Sequence, residues 1–218
     1  MQSNGKEGIP QIREQLARAG LPAPTLEGIG TFLVVWGLFE TALETAVWAI
    51  RDERVKGVRP STDGPPASEW LKALEKGHPS FSTEANDVLK AGKQAAADLM
   101  EYRHCLLHGA MIPFPGGPVM IRNIGRRGEV RKRPRSDAYM RPHLLDSATL
   151  SAWTLWRLAL ATEKCLIAGR DSLLVAMLRP EVARAAAHAK KLRLLTTHAT
   201  GEDDPPTGPV IRRPPPTP

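Results

Sequence analysis

The sequence predicts an all-α protein, an antiparallel bundle of four to five helices with a short β-hairpin or irregular flap inserted before the last core helix. Three observations carry this expectation. Apolar residues recur at alternating steps of three and four over several stretches long enough for helices. Clusters of proline and glycine separate those stretches. All five tryptophans, Trp36, Trp48, Trp70, Trp153 and Trp156, fall inside them as core or interface anchors. With 218 residues, 42% hydrophobic and 24% charged, the chain suffices for one well-buried core with small appendages.

In chain order, Ile9 to Arg18 reads as a short helix ended by Leu21-Pro22-Ala23-Pro24. A long helix follows, capped by Thr25 and running to about Arg54, because Phe32, Trp36, Phe39, Leu43, Ala46 and Ile50 keep one face apolar. The run from Ile29 to Ile50 is long enough to raise a membrane span, but Glu40 and Glu44 in its middle argue against one. Lys56 to Pro66 is a loop. Ser68 caps a short helix from Glu69 to Lys76, with Trp70, Leu71 and Leu74 facing inward, stopped by Gly77-His78-Pro79.

Ser82 or Thr83 starts the next long helix, which reaches His108 and is stopped by Gly109. Its apolar stripe is Val88, Gly92, Ala95, Leu99, Tyr102 and Leu106; Gly92 and Ala95-Ala96-Ala97 invite close approach by another helix. Gly109 to Arg141 holds short β-like runs, Met111-Ile112 and Val119 to Ile121, among prolines and glycines. A last core helix starts at Asp146 or Ser147 and runs to Ala168. It carries one stripe through Leu145, Ala148, Ala152, Leu155, Ala159 and Leu166, and a second through Trp153, Trp156, Leu160 and Ile167. A helix apolar on two faces packs against more than one neighbour, within the monomer or across a dimer. Ser172 to Leu195 is helical with a break at Pro180, and the tail beyond is proline-rich and predicted disordered. The expected division is an extension at 1–24, a helical domain at 25–195 with its flap at 110–141, and a tail at 196–218.

The net charge is +7, and most of it sits in one segment: Arg122, Arg126, Arg127, Arg131, Lys132, Arg133, Arg135 and Arg141 against Glu129 and Asp137. That suits an anionic partner. Cys105 and Cys165 lie in separate helices and suggest neither a disulfide framework nor a metal-ligand spacing. No signal-peptide pattern opens the chain, and the expectation is a cytoplasmic protein with no membrane partner.

Chemistry concentrates in Arg103-His104-Cys105-Leu106-Leu107-His108-Gly109. At about 100° per residue, Arg103, Leu107, Met100, His104 and His108 fan over one face beside the core stripe. Histidine serves as proton acceptor or donor near neutral pH, and arginine matches phosphoryl oxygens with a fixed charge. The bland alternative is that Arg103 pairs with Glu40 or Glu44 and the histidines merely favour the helix terminus. The two histidines are four apart, as in some metal sites, but no third ligand is spaced to complete one, so no metal and no cofactor are expected.

An Arg-polar-x-x-x-His motif (Arg103, His104, His108), ending the third main helix of an all-α domain and followed by Gly, resembles the HEPN domain family ("higher eukaryotes and prokaryotes nucleotide-binding"). The resemblance covers roughly residues 25–170. It departs at His104, where the family more often has Asn, and at the flap. It implies a metal-independent endoribonuclease, a toxin or an RNA-processing or defence component, acting as a homodimer and, for a toxin, with an antitoxin partner. Arg103 would then stabilise phosphate charge, His108 transfer the proton and His104 orient or assist. Arg122, Arg126, Arg127, Arg131, Lys132 and Arg133 would attract the RNA backbone. The rival expectation is a non-catalytic helical module that dimerises through Met100 and Leu107.

Overall fold

The computed structural model describes residues 8–112, 117–123, 136–169 and 172–197. Seven helices and one small sheet appear among them: α1 (Ile9–Arg18), α2 (Ala23–Ile50), α3 (Ala67–Lys76), α4 (Thr83–His108), β1 (Ala110–Ile112), β2 (Val119–Arg122), β3 (Ser136–Tyr139), α5 (Pro142–Ile167), α6 (Leu173–Ala176) and α7 (Arg179–Thr197). The expected all-α class is therefore present, but the packing is not antiparallel throughout: Gly28 in the opening turns of α2 lies against Leu145 in the first turn of α5, so these two extensively packed helices run parallel. Four long helices, α2, α4, α5 and α7, enclose the core, and α3 closes one side against α2 and α4.

Helix starts depart from expectation where proline decides them. Thr25 is not the cap of α2; the helix begins at Ala23 behind Pro22, and Thr25 is buried in its first turn. Pro24 tolerates that position because a first-turn N–H has no intrahelical acceptor. Likewise α5 begins at Pro142, a turn before Asp146 and Ser147, and α3 begins behind Pro66 rather than Ser68. Pro180 opens α7 instead of interrupting it. At the C-terminal end, α2 stops at Ile50, short of Arg54, where Asp52 turns into positive φ. Helix α4 starts as read: the Ser82 hydroxyl accepts a hydrogen bond from the Ala85 amide at 3.2 Å.

The core forms where apolar faces meet. Phe32, Trp36, Phe39 and Leu43 of α2 are buried with Leu89, Leu99 and Tyr102 of α4 and Leu145, Leu155 and Leu158 of α5. The Phe32 and Tyr102 rings meet edge to face at 5.9 Å. A Cβ at Gly92 would lie 2.3 Å from Leu158 Cδ2, so the close approach of α4 and α5 requires glycine there. Gly28 lies against Leu145, which puts the first turns of α2 and α5 at the same end of the bundle. By length and composition α2 could cross a membrane; in this fold its aromatic face is core.

The described residues between α4 and α5 form three strands rather than the two of a hairpin. β1, β2 and β3 form an antiparallel sheet in that order, pairing Ala110 with Ile121 and Ile121 with Asp137. β3 (Ser-Asp-Ala-Tyr) was not expected; its pattern shows no apolar alternation because burial comes from packing on α4 and α7. The Tyr102 hydroxyl donates to the Tyr139 carbonyl at 2.8 Å and fastens the strand to α4.

Candidate functional site at the end of α4

Helix α4 delivers its last two turns to the base of the sheet. A Cβ at Gly109 would stand 2.5 Å from the Cys105 carbonyl and 3.1 Å from the Ile121 amide. Glycine stops the helix here because β2 passes too close for a side chain, not because the backbone turns left-handed (φ −78°). That close approach lays Arg122, the last residue of β2, beside the polar edge of α4.

Four groups surround His104, itself half-buried. Burial is the largest influence depressing its basicity, followed by the positive charges of Arg122 and Arg103; Glu101 opposes them and His108 adds to the lowering. The His104 and His108 rings lie 6.2 Å apart between centroids, and His108 is exposed. Arg103 reaches toward α2, with Nη2 3.8 Å from Glu40 Oε2 and both side chains about a quarter to a third exposed. Its buried Nε has no hydrogen-bond partner among the described residues. Arg122 Nη1 is 3.9 Å from Glu101 Oε2 and only 16% exposed.

Arg103, His104 and His108 therefore share one edge, as expected. Of the two acids named as partners for Arg103, Glu40 takes that place; Glu44 instead accepts from the Thr62 hydroxyl at 2.6 Å. Two expectations are corrected. Arg122 is not a cation carried on a projecting flap: the register of β2 turns it back onto α4. Met100 is half-buried against the core, which leaves Leu107 (42% exposed) as the protruding apolar residue of the pair. Arg126, Arg127, Arg131, Lys132 and Arg133 lie outside the described residues. Glu101 was overlooked because only the placement of β2 gives it a partner.

Cys105, between the two histidines in sequence, faces inward, where burial raises its thiol above the ordinary range; it donates to Ser136 Oγ at 3.1 Å. That makes it a packing residue. Among the described residues no three His, Cys, Asp or Glu side chains gather as a metal-holding group. The edge thus offers a partly exposed fixed cation, a second, more buried one, one imidazole biased toward its neutral form and one imidazole open to solvent.

Comparison with protein-family models, with curated proteins and with solved structures found no significant match to this chain.

Proposed function

We propose that this chain is a HEPN-like, metal-independent endoribonuclease that cleaves RNA through its own 2′-hydroxyl. The observation supporting this reading is the pair of imidazoles 6.2 Å apart, flanked by the partly exposed guanidinium of Arg103 and by Arg122. His104, biased toward neutrality, accepts the 2′-hydroxyl proton as that oxygen attacks the adjacent phosphorus. His108, in its protonated form, gives a proton to the departing 5′-oxygen. Arg103 and Arg122 bear the charge that gathers on the phosphorane. The products are a 2′,3′-cyclic phosphate and a 5′-hydroxyl. Because one chain holds two imidazoles, acid and base need not be the same group; a homodimer brings a second edge but is not needed to divide the proton roles.

In this reading the protein works in the cytoplasm as a toxin or defence component, and an antitoxin partner would cover the same edge. The test is incubation of the purified chain with RNA in EDTA. Expected are internal cuts with cyclic phosphate ends, and no cutting of 2′-O-methyl RNA; uncut RNA from folded protein refutes the proposal. One observation favours a second reading, a non-catalytic helical module: Glu40 already faces Arg103. A module of that kind leaves RNA intact, and Glu40→Gln does not change that.

A further inference from the structure

Helices α2 and α5 pack side by side and leave one outer face without a partner among the described residues. On α2 the ridge Glu27, Thr31, Val34, Leu38, Thr41 and Thr45 advances by alternating fours and threes, the spacing of a seam that meets another helix. Val34 is 66% and Leu38 43% exposed. The Thr31 and Thr41 hydroxyls donate to carbonyls four residues back, which leaves their methyl groups on the surface. On α5 the ridge Asp146, Leu150, Trp153, Arg157 and Lys164 follows the same spacing, with Leu150 60% and Trp153 43% exposed. No charged residue occurs from Gly28 to Phe39 or from Ser147 to Trp156, in a chain that is 24% charged. Two mid-helix glycines of α2, Gly30 and Gly37, have nothing within 4 Å of where a Cβ would sit. No described residue gives a packing reason for them, and glycine weakens a helix interior.

Charge placement selects the occupant. Both ridges begin acidic, at Glu27 and Asp146, in helices whose first turns lie at the same end, and the α5 ridge ends basic, at Arg157 and Lys164. A like face laid on in parallel would set acid against acid. Laid on antiparallel about a two-fold axis, it sets Asp146 against Lys164 of a second copy, Leu150 against Leu160 and Trp153 level with Arg157, a half-exposed side chain whose own-chain contact is a long one, 4.0 Å to Glu181. The α2 ridges then cross with Val34 against Leu38. We infer that a second copy of this chain docks here, α2 on α2 and α5 on α5, in an isologous antiparallel dimer. The face is roughly 27 Å long and two helices wide. With side-chain relief it reaches the lower end of specific interfaces, about 600 Å² per partner. Arg103 and Leu107 belong to α4, and Arg103 meets α2 at Glu40, off this ridge, so this interface is distinct from an association through Leu107 and does not depend on the nuclease reading.

Sedimentation equilibrium of the full chain from about 1 to 100 μM tests it. Expected is a dimer whose Kd rises at least tenfold in Leu150→Glu and in Val34→Glu, and stays unchanged in Leu107→Glu. Asp146→Lys and Lys164→Glu should each weaken the dimer, and the double variant should restore it; recovery by charge reversal separates a lost contact from a lost fold. A monomer throughout the range, a dimer indifferent to Leu150→Glu, or a monomer that instead binds zwitterionic lipid vesicles through this face overturns the inference.

Discussion

Glu40 and Glu44 sit one turn apart on α2 and meet opposite fates. Glu44 is clamped: Thr62, itself buried, donates to its Oε1 at 2.6 Å and accepts from Trp48 Nε1 at 2.8 Å, so indole, hydroxyl and carboxylate form one short chain of contacts. Glu40 faces Arg103 across 3.8 Å, and the arginine keeps a buried Nε with no partner among the described residues. A closed network of short hydrogen bonds holds a fold together. A partly exposed guanidinium held only loosely, at 3.8 Å from one carboxylate, can exchange that partner for a phosphate oxygen, the acceptor its fork is shaped to take. The contrast separates a structural polar cluster from a candidate site on one helix, without appeal to residue type.

Arg103→Ala should draw the contrast most sharply: RNA cleavage falls by about 10²-fold or more, while the thermal midpoint barely moves, as calorimetry and a cleavage assay would record together. A matching loss of stability would mean Arg103 belongs with Glu44 as a structural residue. Thr62→Val inverts the pattern. It strips Trp48 Nε1 and Glu44 of their shared partner and should cost about 2 kcal/mol in urea denaturation, with cleavage unchanged. Glu40→Gln should move stability by less than about 1 kcal/mol, since a partly exposed pair at this distance contributes little. Cleavage should persist or rise as Arg103 is released; abolished cleavage would assign Glu40 a direct part in the site.

The smallest effects concern pH. His104 must be neutral to accept a proton, and its depressed basicity keeps it neutral further into the acid range than an ordinary histidine. Arg122 lowers its affinity for protons and Glu101 raises it. Arg122→Gln should therefore shift the acid limb of the pH–rate profile to higher pH, and Glu101→Gln should shift it to lower pH. Shifts of the opposite sign would remove His104 from the base role.

What the sequence made legible follows from what is local. Helix α1, the Ser82 cap of α4, its buried stripe and the shared edge of Arg103, His104 and His108 all depend on residues within a few turns of one another. The starts of α2 and α5 lie earlier than expected because prolines fit a first turn: in the sequence Pro24 reads as ending the preceding helix, and Thr25, Asp146 and Ser147 read as the caps. β3 and the inward turn of Arg122 were not legible: Ser136 and Asp137 carry no apolar alternation, and only the pairing of Arg122 with Ser136 sets that guanidinium beside Glu101. The same limit hid which glutamate faces Arg103, since Glu40 and Glu44 are equivalent in spacing and only the loop bearing Thr62 distinguishes them.

The most direct measurement is RNA cleavage in EDTA by the wild-type chain beside His108→Ala, with both proteins shown to be folded. His108 is exposed and at a helix end, so its removal should leave the thermal midpoint in place while the rate drops by about 10²–10⁴-fold. Equal cleavage by the two proteins would contradict the assignment of the α4 edge as the site of chemistry.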